Sequence, residues 1–147
     1  MRPLSALACA VLLFGCARSD EPAPEDAPEP VENPLTAYAG AWEVQSFAID
    51  SDEPLVDLQL FATESTDGWS MAFDHLDEPV PGHVTVQGDS VSFTVGPYSS
   101  ALREAVMVTT TSVLHADGDE IAGRFTATYE DSEPAILKGR LRGSRAE

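Results

Sequence analysis

The stretch that decides the fold is residues 107–129, MVTTTSVLHADGDEIAGRFTATY. On both sides of the central Asp117-Gly118 pair, successive side chains alternate between two faces. In the second half, Ile121, Phe125 and Tyr129 fall on one of these faces. A period of two residues indicates a β-strand, and Asp-Gly favours a tight hairpin turn. The stretch therefore predicts two antiparallel strands joined by a short turn.

The same alternation extends outward over most of the chain, and no segment shows a convincing helical period. Asp67-Gly68 and Gly88-Asp89 provide two further short turn signals, and proline-marked polar segments separate the other runs. The sequence predicts eight strands, near residues 41–49, 55–63, 69–74, 80–87, 90–96, 105–115, 120–129 and 135–142.

The connections between these strands are short enough for each strand to pair with the next. Eight sequential strands can close on themselves, which removes both exposed edges. The fold prediction is therefore all-β, an eight-stranded antiparallel up-and-down barrel. A β-sandwich or a half-open curved meander is the alternative.

The N-terminal residues carry an export signal. One basic residue, Arg2, precedes an apolar run that is too short to span a bilayer. The run ends in Leu13-Phe14-Gly15-Cys16, which resembles the lipobox of bacterial lipoproteins. This resemblance implies a signal peptide over residues 1–15, a lipidated Cys16 and a lipid-anchored location in the cell envelope. Because Ala17 follows the cysteine, it implies the outer membrane, facing the periplasm; ordinary cleavage and secretion is the alternative.

Residues 16–34 are predicted to be the lipidated cysteine and a disordered tether. Positions 17–34 hold five prolines and six acidic residues, so this segment cannot bury enough apolar surface to offset the entropy of ordering. Proline stiffness and charge repulsion favour an extended spacer. The folded domain is then residues 35–147.

The head of the first predicted strand resembles the opening of the lipocalin, fatty-acid-binding and avidin superfamily. Gly40 and Trp42 match its Gly-x-Trp motif, and the whole chain is similar to short bacterial lipoproteins with a lipocalin-like domain. The resemblance implies that Trp42 closes one end of the barrel. It also implies that an arginine of the last strand, Arg140 or Arg142, packs over the indole.

Eight-stranded barrels either are filled by side chains or hold one small ligand. The eight-strand pattern and the aromatic residues at inward positions predict a binding module for a small hydrophobic molecule, and a non-enzymatic scaffold or protein-interaction domain with a filled barrel is the alternative. The candidate ligand-binding residues are Trp69, Met71, Phe73, Phe93, Phe125 and Tyr129.

Composition and motifs argue against other functions. A formal charge of -17 repels nucleic acid, which is bound through Lys and Arg. The three histidines, His75, His83 and His115, lack the spacing of a zinc site, so we expect no metal and no cofactor. The sequence holds no Gly-x-Ser-x-Gly elbow, and a hydrolase is the weakest of the hypotheses. We therefore expect the protein not to be an enzyme.

Overall fold

The computed structural model describes residues 30–147, and the predicted signal peptide and Cys16 lie outside them. No helix in this part of the chain is long and apolar enough to cross a membrane. The eight strands are β1 (Gly40–Ala48), β2 (Pro54–Ala62), β3 (Ser70–Phe73), β4 (Val80–Gln87), β5 (Ser90–Ser99), β6 (Met107–Asp117), β7 (Glu120–Tyr129) and β8 (Ile136–Arg145).

Each strand pairs antiparallel with the next, and β8 pairs with β1 to close the barrel. The closing seam runs from Trp42 opposite Arg145 to Ala48 opposite Gly139. The prediction of an eight-stranded up-and-down barrel is confirmed, and the sandwich and the open meander are not formed. The longest run of paired residues joins β6 to β7. Gly118 lies in the tight turn between them, and its φ of +61° suits that turn.

The up-and-down order places alternate connections at opposite ends of the barrel. One end, here called the tryptophan end, holds the start of β1 and the short turns after β4 and β6. The other end, here called the cavity end, holds the connections 49–53, 74–79, 100–106 and 130–135. The two ends differ in how their interior is filled.

Aromatic side chains fill the tryptophan end. Trp42, Trp69, Tyr38 and Phe93 are at most 2% exposed, and burial of each such side chain contributes about 1.5–3 kcal/mol. Their polar atoms are satisfied, since Trp42 Nε1 donates to Tyr38 O at 2.7 Å and Trp69 Nε1 donates to Ser65 O at 2.8 Å. This end of the barrel is therefore a packed core.

The arginine over Trp42 is Arg145, which corrects the expectation of Arg140 or Arg142. The Arg145 guanidinium carbon lies 4.4 Å from the Trp42 ring centroid, and its nitrogens donate to Ala39 O and Ala37 O. Antiparallel pairing puts the last residues of β8 beside the first residues of β1. Arg140 lies at the opposite end of the strand and outside the barrel, where it pairs with Asp52.

A bulge in β5 changes which residues face the interior. Val95 pairs with Thr110 and Tyr98 pairs with Val108, so β5 carries one residue more than β6 between these pairs. Gly96 makes the bulge possible: its φ is +119°, and a Cβ there would lie 2.7 Å from Val108 O. As a result Tyr98 turns toward the interior at the cavity end.

Candidate ligand-binding cavity

The cavity end contains a void of about 50 Å³ inside the barrel. Its wall is mainly apolar and comes from seven of the eight strands and the 100–106 connection. The apolar and aromatic lining residues are Val56, Leu58, Met71, Phe73, Tyr98, Ala101, Leu102, Val108, Phe125, Ala127, Tyr129, Leu137 and Leu141. The serine and threonine lining residues are Ser46, Ser100, Thr110 and Ser112.

One of these hydroxyl groups has no hydrogen-bond partner. Ser112 is fully buried on the inward face of β6, and its Oγ has no partner among residues 30–147. Ser46 differs, because its hydroxyl donates to Val56 O at 3.2 Å. A serine hydroxyl offers one donor and two acceptor positions, so Ser112 presents an unused polar group to an apolar cavity.

The hydroxyl groups of Tyr98, Thr110 and Ser100 are engaged with each other or with the backbone. The Tyr98 hydroxyl and Thr110 Oγ1 lie 2.9 Å apart and share a hydrogen bond. Ser100 Oγ accepts from the backbone N–H groups of Leu102 and Arg103, both at 3.1 Å. Among the four serine and threonine residues of the described cavity wall, Ser112 is therefore the one whose hydroxyl has no partner at all.

Tyr98 forms part of the wall near the mouth. Its ring stacks on Phe73 with 4.7 Å between centroids. Burial raises the pKa of Tyr98 above its usual value, although the bond to Thr110 lowers it in part. The Tyr98 hydroxyl is consequently neutral at physiological pH and acts as a hydrogen-bonding group.

The 100–106 connection covers the cavity and is held by Arg103. The guanidinium carbon of Arg103 lies 3.8 Å from the Tyr129 ring centroid, and its Nη1 donates to Ser132 Oγ and Pro134 O, both at 2.8 Å. Arg103 thus joins this connection to the neighbouring 130–135 connection. Leu102, beside it, lines the cavity and is still 44% exposed.

The surface around the mouth is acidic with exposed apolar side chains. Three of the four connections of the cavity end carry three Asp or Glu residues each, and the 100–106 connection carries one. The four connections together contain a single Lys or Arg residue, Arg103. Ile49, Met107 and Ile136 are between 39% and 54% exposed at the adjoining strand ends. A molecule that approaches the cavity therefore meets negative charge and hydrophobic surface together.

The structure brings together four of the six candidate ligand-binding residues. Met71, Phe73, Phe125 and Tyr129 line the cavity. Trp69 and Phe93 do not: their rings pack 5.6 Å apart in the tryptophan end. These two are core residues of the filled half of the barrel and do not line the cavity.

Sequence reasoning did not identify Ser112, Thr110, Leu102 or Arg103 as site residues. The available signal for Ser112 was its position on the face of β6 that also carries Val108 and Leu114. That signal is weak, because the opposite face also carries large apolar residues, Met107 and Val113. Nothing in the sequence marks Arg103 as the residue that holds the cover.

Among the described residues, no three His, Cys, Asp or Glu side chains form a group that could hold a metal ion. No family model matches this chain, and neither a curated protein nor a solved structure matches it. The fold and the cavity therefore rest on the chain's own geometry, which defines an eight-stranded, closed, up-and-down β-barrel.

Proposed function

We propose that this protein is a membrane-tethered binding module that takes a small, largely hydrophobic molecule into the cavity end of its barrel. The observation that carries the proposal is the buried, unpartnered Ser112 hydroxyl in a mainly apolar cavity. An unsatisfied buried polar group costs about 1–3 kcal/mol, and a ligand that bonds to it recovers this free energy. The proposal assigns binding and no catalysis.

The ligand enters past the 100–106 connection. The void of about 50 Å³ is smaller than the roughly 300–1,000 Å³ typical of pockets for drug-sized molecules. Ala101 and Leu102 form part of its wall, so an outward movement of their connection both opens and enlarges the site. Leu102 is already partly exposed, so this movement newly exposes little apolar surface and costs little free energy.

The tether is proposed from the sequence of the leader. A diacylglycerol on Cys16 anchors the chain in the outer membrane, facing the periplasm, and the Pro-rich acidic segment holds the barrel away from the lipid surface. The bacterial host and the compartment are part of this proposal, with secretion as the alternative.

The tether is tested by Cys16→Ala in a bacterial host that lipidates such leaders. We expect the natural chain in the membrane fraction, with incorporation of labelled fatty acid. The variant should lose the label and leave the membrane pellet. A natural chain that takes up no label and stays in the soluble fraction contradicts the anchor.

A second candidate function is a scaffold or protein-interaction domain that acts through its outer surface. The small cavity volume and the filled tryptophan end favour it, because a barrel with little internal space offers little ligand surface. Under this alternative, substitutions of the cavity wall leave binding behaviour unchanged.

The two functions are separated by native mass spectrometry of the full chain purified from its envelope membranes. We expect a co-purifying small molecule, and its loss in Ala127→Leu, which adds three carbon atoms to the cavity wall. Ala122→Leu is the matched control, because Ala122 lies exposed on the same strand. No co-purifying mass in the natural chain, with identical spectra for both variants, favours the scaffold.

A further inference from the structure

We propose that the molecule held in the cavity is uncharged and compact, with one hydroxyl, carbonyl or amide group on a hydrocarbon body. This inference rests on the proposed binding function and names its ligand class. It excludes carboxylates and other anionic amphiphiles as ligands of this barrel.

The charge of the ligand follows from the cavity wall. None of the described residues that line the cavity is Asp, Glu, Lys, Arg or His. A charged group placed among Leu58, Met71 and Phe125 therefore loses its hydration and meets no counter-ion. Because burial of an unpaired charge is far more costly than burial of a neutral polar group, the wall selects uncharged molecules.

The mouth adds a second barrier against anions. Ten acidic residues lie on the four connections of the cavity end, and the guanidinium of Arg103 is already engaged over Tyr129 and with Pro134 O. The acidic mouth repels a carboxylate before it reaches the interior. A cation is attracted to the mouth, yet inside the described wall it finds no carboxylate.

The number of polar groups on the ligand follows from the hydrogen bonds of the wall. Ser46, Ser100, Thr110 and the Tyr98 hydroxyl all have partners, whereas Ser112 Oγ has none. The fully buried Ser112 hydroxyl matches one polar group on an apolar body. A second polar group that lies against Leu58, Met71 and Phe125 would be buried without a partner, which weakens binding.

The size of the ligand follows from the volume. About 50 Å³ is available while Leu102 lines the cavity, and the filled tryptophan end prevents extension along the barrel axis. A long acyl chain has no room within the barrel. A compact ring or branched skeleton, admitted by displacement of Leu102, fits this space best.

The test is a methyl-detected NMR titration of the full chain with four probes of one skeleton: cyclopentane, cyclopentanol, cyclopentanecarboxylate and cyclopentylammonium. We expect cyclopentanol to shift the methyl signals of Leu58, Val108 and Leu137. Both charged probes should bind about tenfold more weakly or worse. Carboxylate or ammonium binding as tight as that of the alcohol overturns the ligand class.

Two variants test the contact to Ser112. Ser112→Ala should weaken cyclopentanol binding by about 2- to 12-fold and leave cyclopentane affinity within about twofold. Ser92→Ala is the matched control, since Ser92 lies on the outer face of β5 and does not line the cavity, and it should change neither affinity by more than about twofold. Equal weakening of both probes by Ser112→Ala contradicts the hydrogen bond.

The outcomes distinguish this inference from the function on which it rests. If cyclopentane binds while the alcohol has no advantage over the charged probes, the ligand class fails and the binding function stands. If none of the four probes shifts the cavity methyl signals, the binding function itself fails.

Discussion

Ser46 and Ser112 are both buried serines on the cavity wall, and they differ in one respect. The hydroxyl of Ser46 has a carbonyl partner, whereas that of Ser112 has none within the described chain. The same substitution at the two positions should therefore have opposite effects. The comparison isolates the hydrogen bond, because the change in volume is the same.

We expect Ser112→Ala to raise the free energy of unfolding by about 1 kcal/mol or more, because it removes a buried hydroxyl that forms no hydrogen bond. Ser46→Ala should lower it by about 0.5–1.5 kcal/mol, because it removes one hydrogen bond. Urea unfolding of the ligand-free chain and the two variants measures both. A loss of stability in Ser112→Ala equal to that in Ser46→Ala contradicts the assignment.

At the scale of single residues, Tyr98 makes the stability of the protein depend on pH. Burial raises the pKa of folded Tyr98, while the unfolded chain ionises near pH 10. Below pH 10 both states are protonated and the stability is fully present. Above pH 10 the folded state binds more protons than the unfolded state, so stability falls as pH rises toward the folded pKa. Tyr38, whose pKa is also raised by burial, acts in the same direction.

We therefore expect the free energy of unfolding to decline above pH 10, and Tyr98→Phe to decline less steeply. At neutral pH the variant should be about 0.5–1.5 kcal/mol less stable, because the bond to Thr110 is lost. Urea titrations at pH 7, 9, 10 and 11 measure both effects. Identical pH slopes for the two proteins would show that Tyr98 is not buried as described.

At the scale of elements, the 100–106 connection is held both by its own hydrogen bonds and by Arg103. Within it, Ser100 N donates to Val106 O at 2.9 Å and Val106 N donates to Arg103 O at 3.4 Å. Ala105 adopts a φ of +59°, a conformation that non-glycine residues rarely adopt. Arg103 supplies the link to the rest of the barrel, so its removal should loosen this connection selectively.

We expect Arg103→Ala to increase amide hydrogen exchange at Ser100 and Val106 by about tenfold or more, since one cation–π contact and two hydrogen bonds are lost. Exchange within β6 and β7 should change little. The matched control is Arg124→Ala, on the exposed outer face of β7. Unchanged protection at both amides in Arg103→Ala would show that Arg103 does not hold the cover.

The alternation of side chains in the sequence did not predict where two of the strands end. The prediction ended the last strand at residue 142, whereas β8 continues to Arg145, and this extension is what brings an arginine over Trp42. The prediction also ended the fifth strand at residue 96. Instead the bulge at Gly96 carries β5 on to Ser99 and turns Tyr98 inward.

For the whole molecule, the barrel followed from the alternation of side chains and from the short turns, because eight sequential strands joined by short connections leave few other topologies. The cavity did not follow, because its volume depends on how side chains from distant strands meet. Trp69 and Phe125 have the same inward signature in the sequence, yet one packs in the core and the other lines the void. How much space the packed side chains leave at each end had to come from the three-dimensional arrangement.

The central claim is that the barrel is filled at the tryptophan end and holds an apolar void at the cavity end. Diffraction from crystals of the protein under xenon pressure tests it most directly, because xenon enters apolar cavities in proteins. We expect one xenon site among Met71, Phe125 and Leu137, and none beside Trp42 or Trp69. An interior without xenon at the cavity end, or with xenon at the tryptophan end, would contradict the claim.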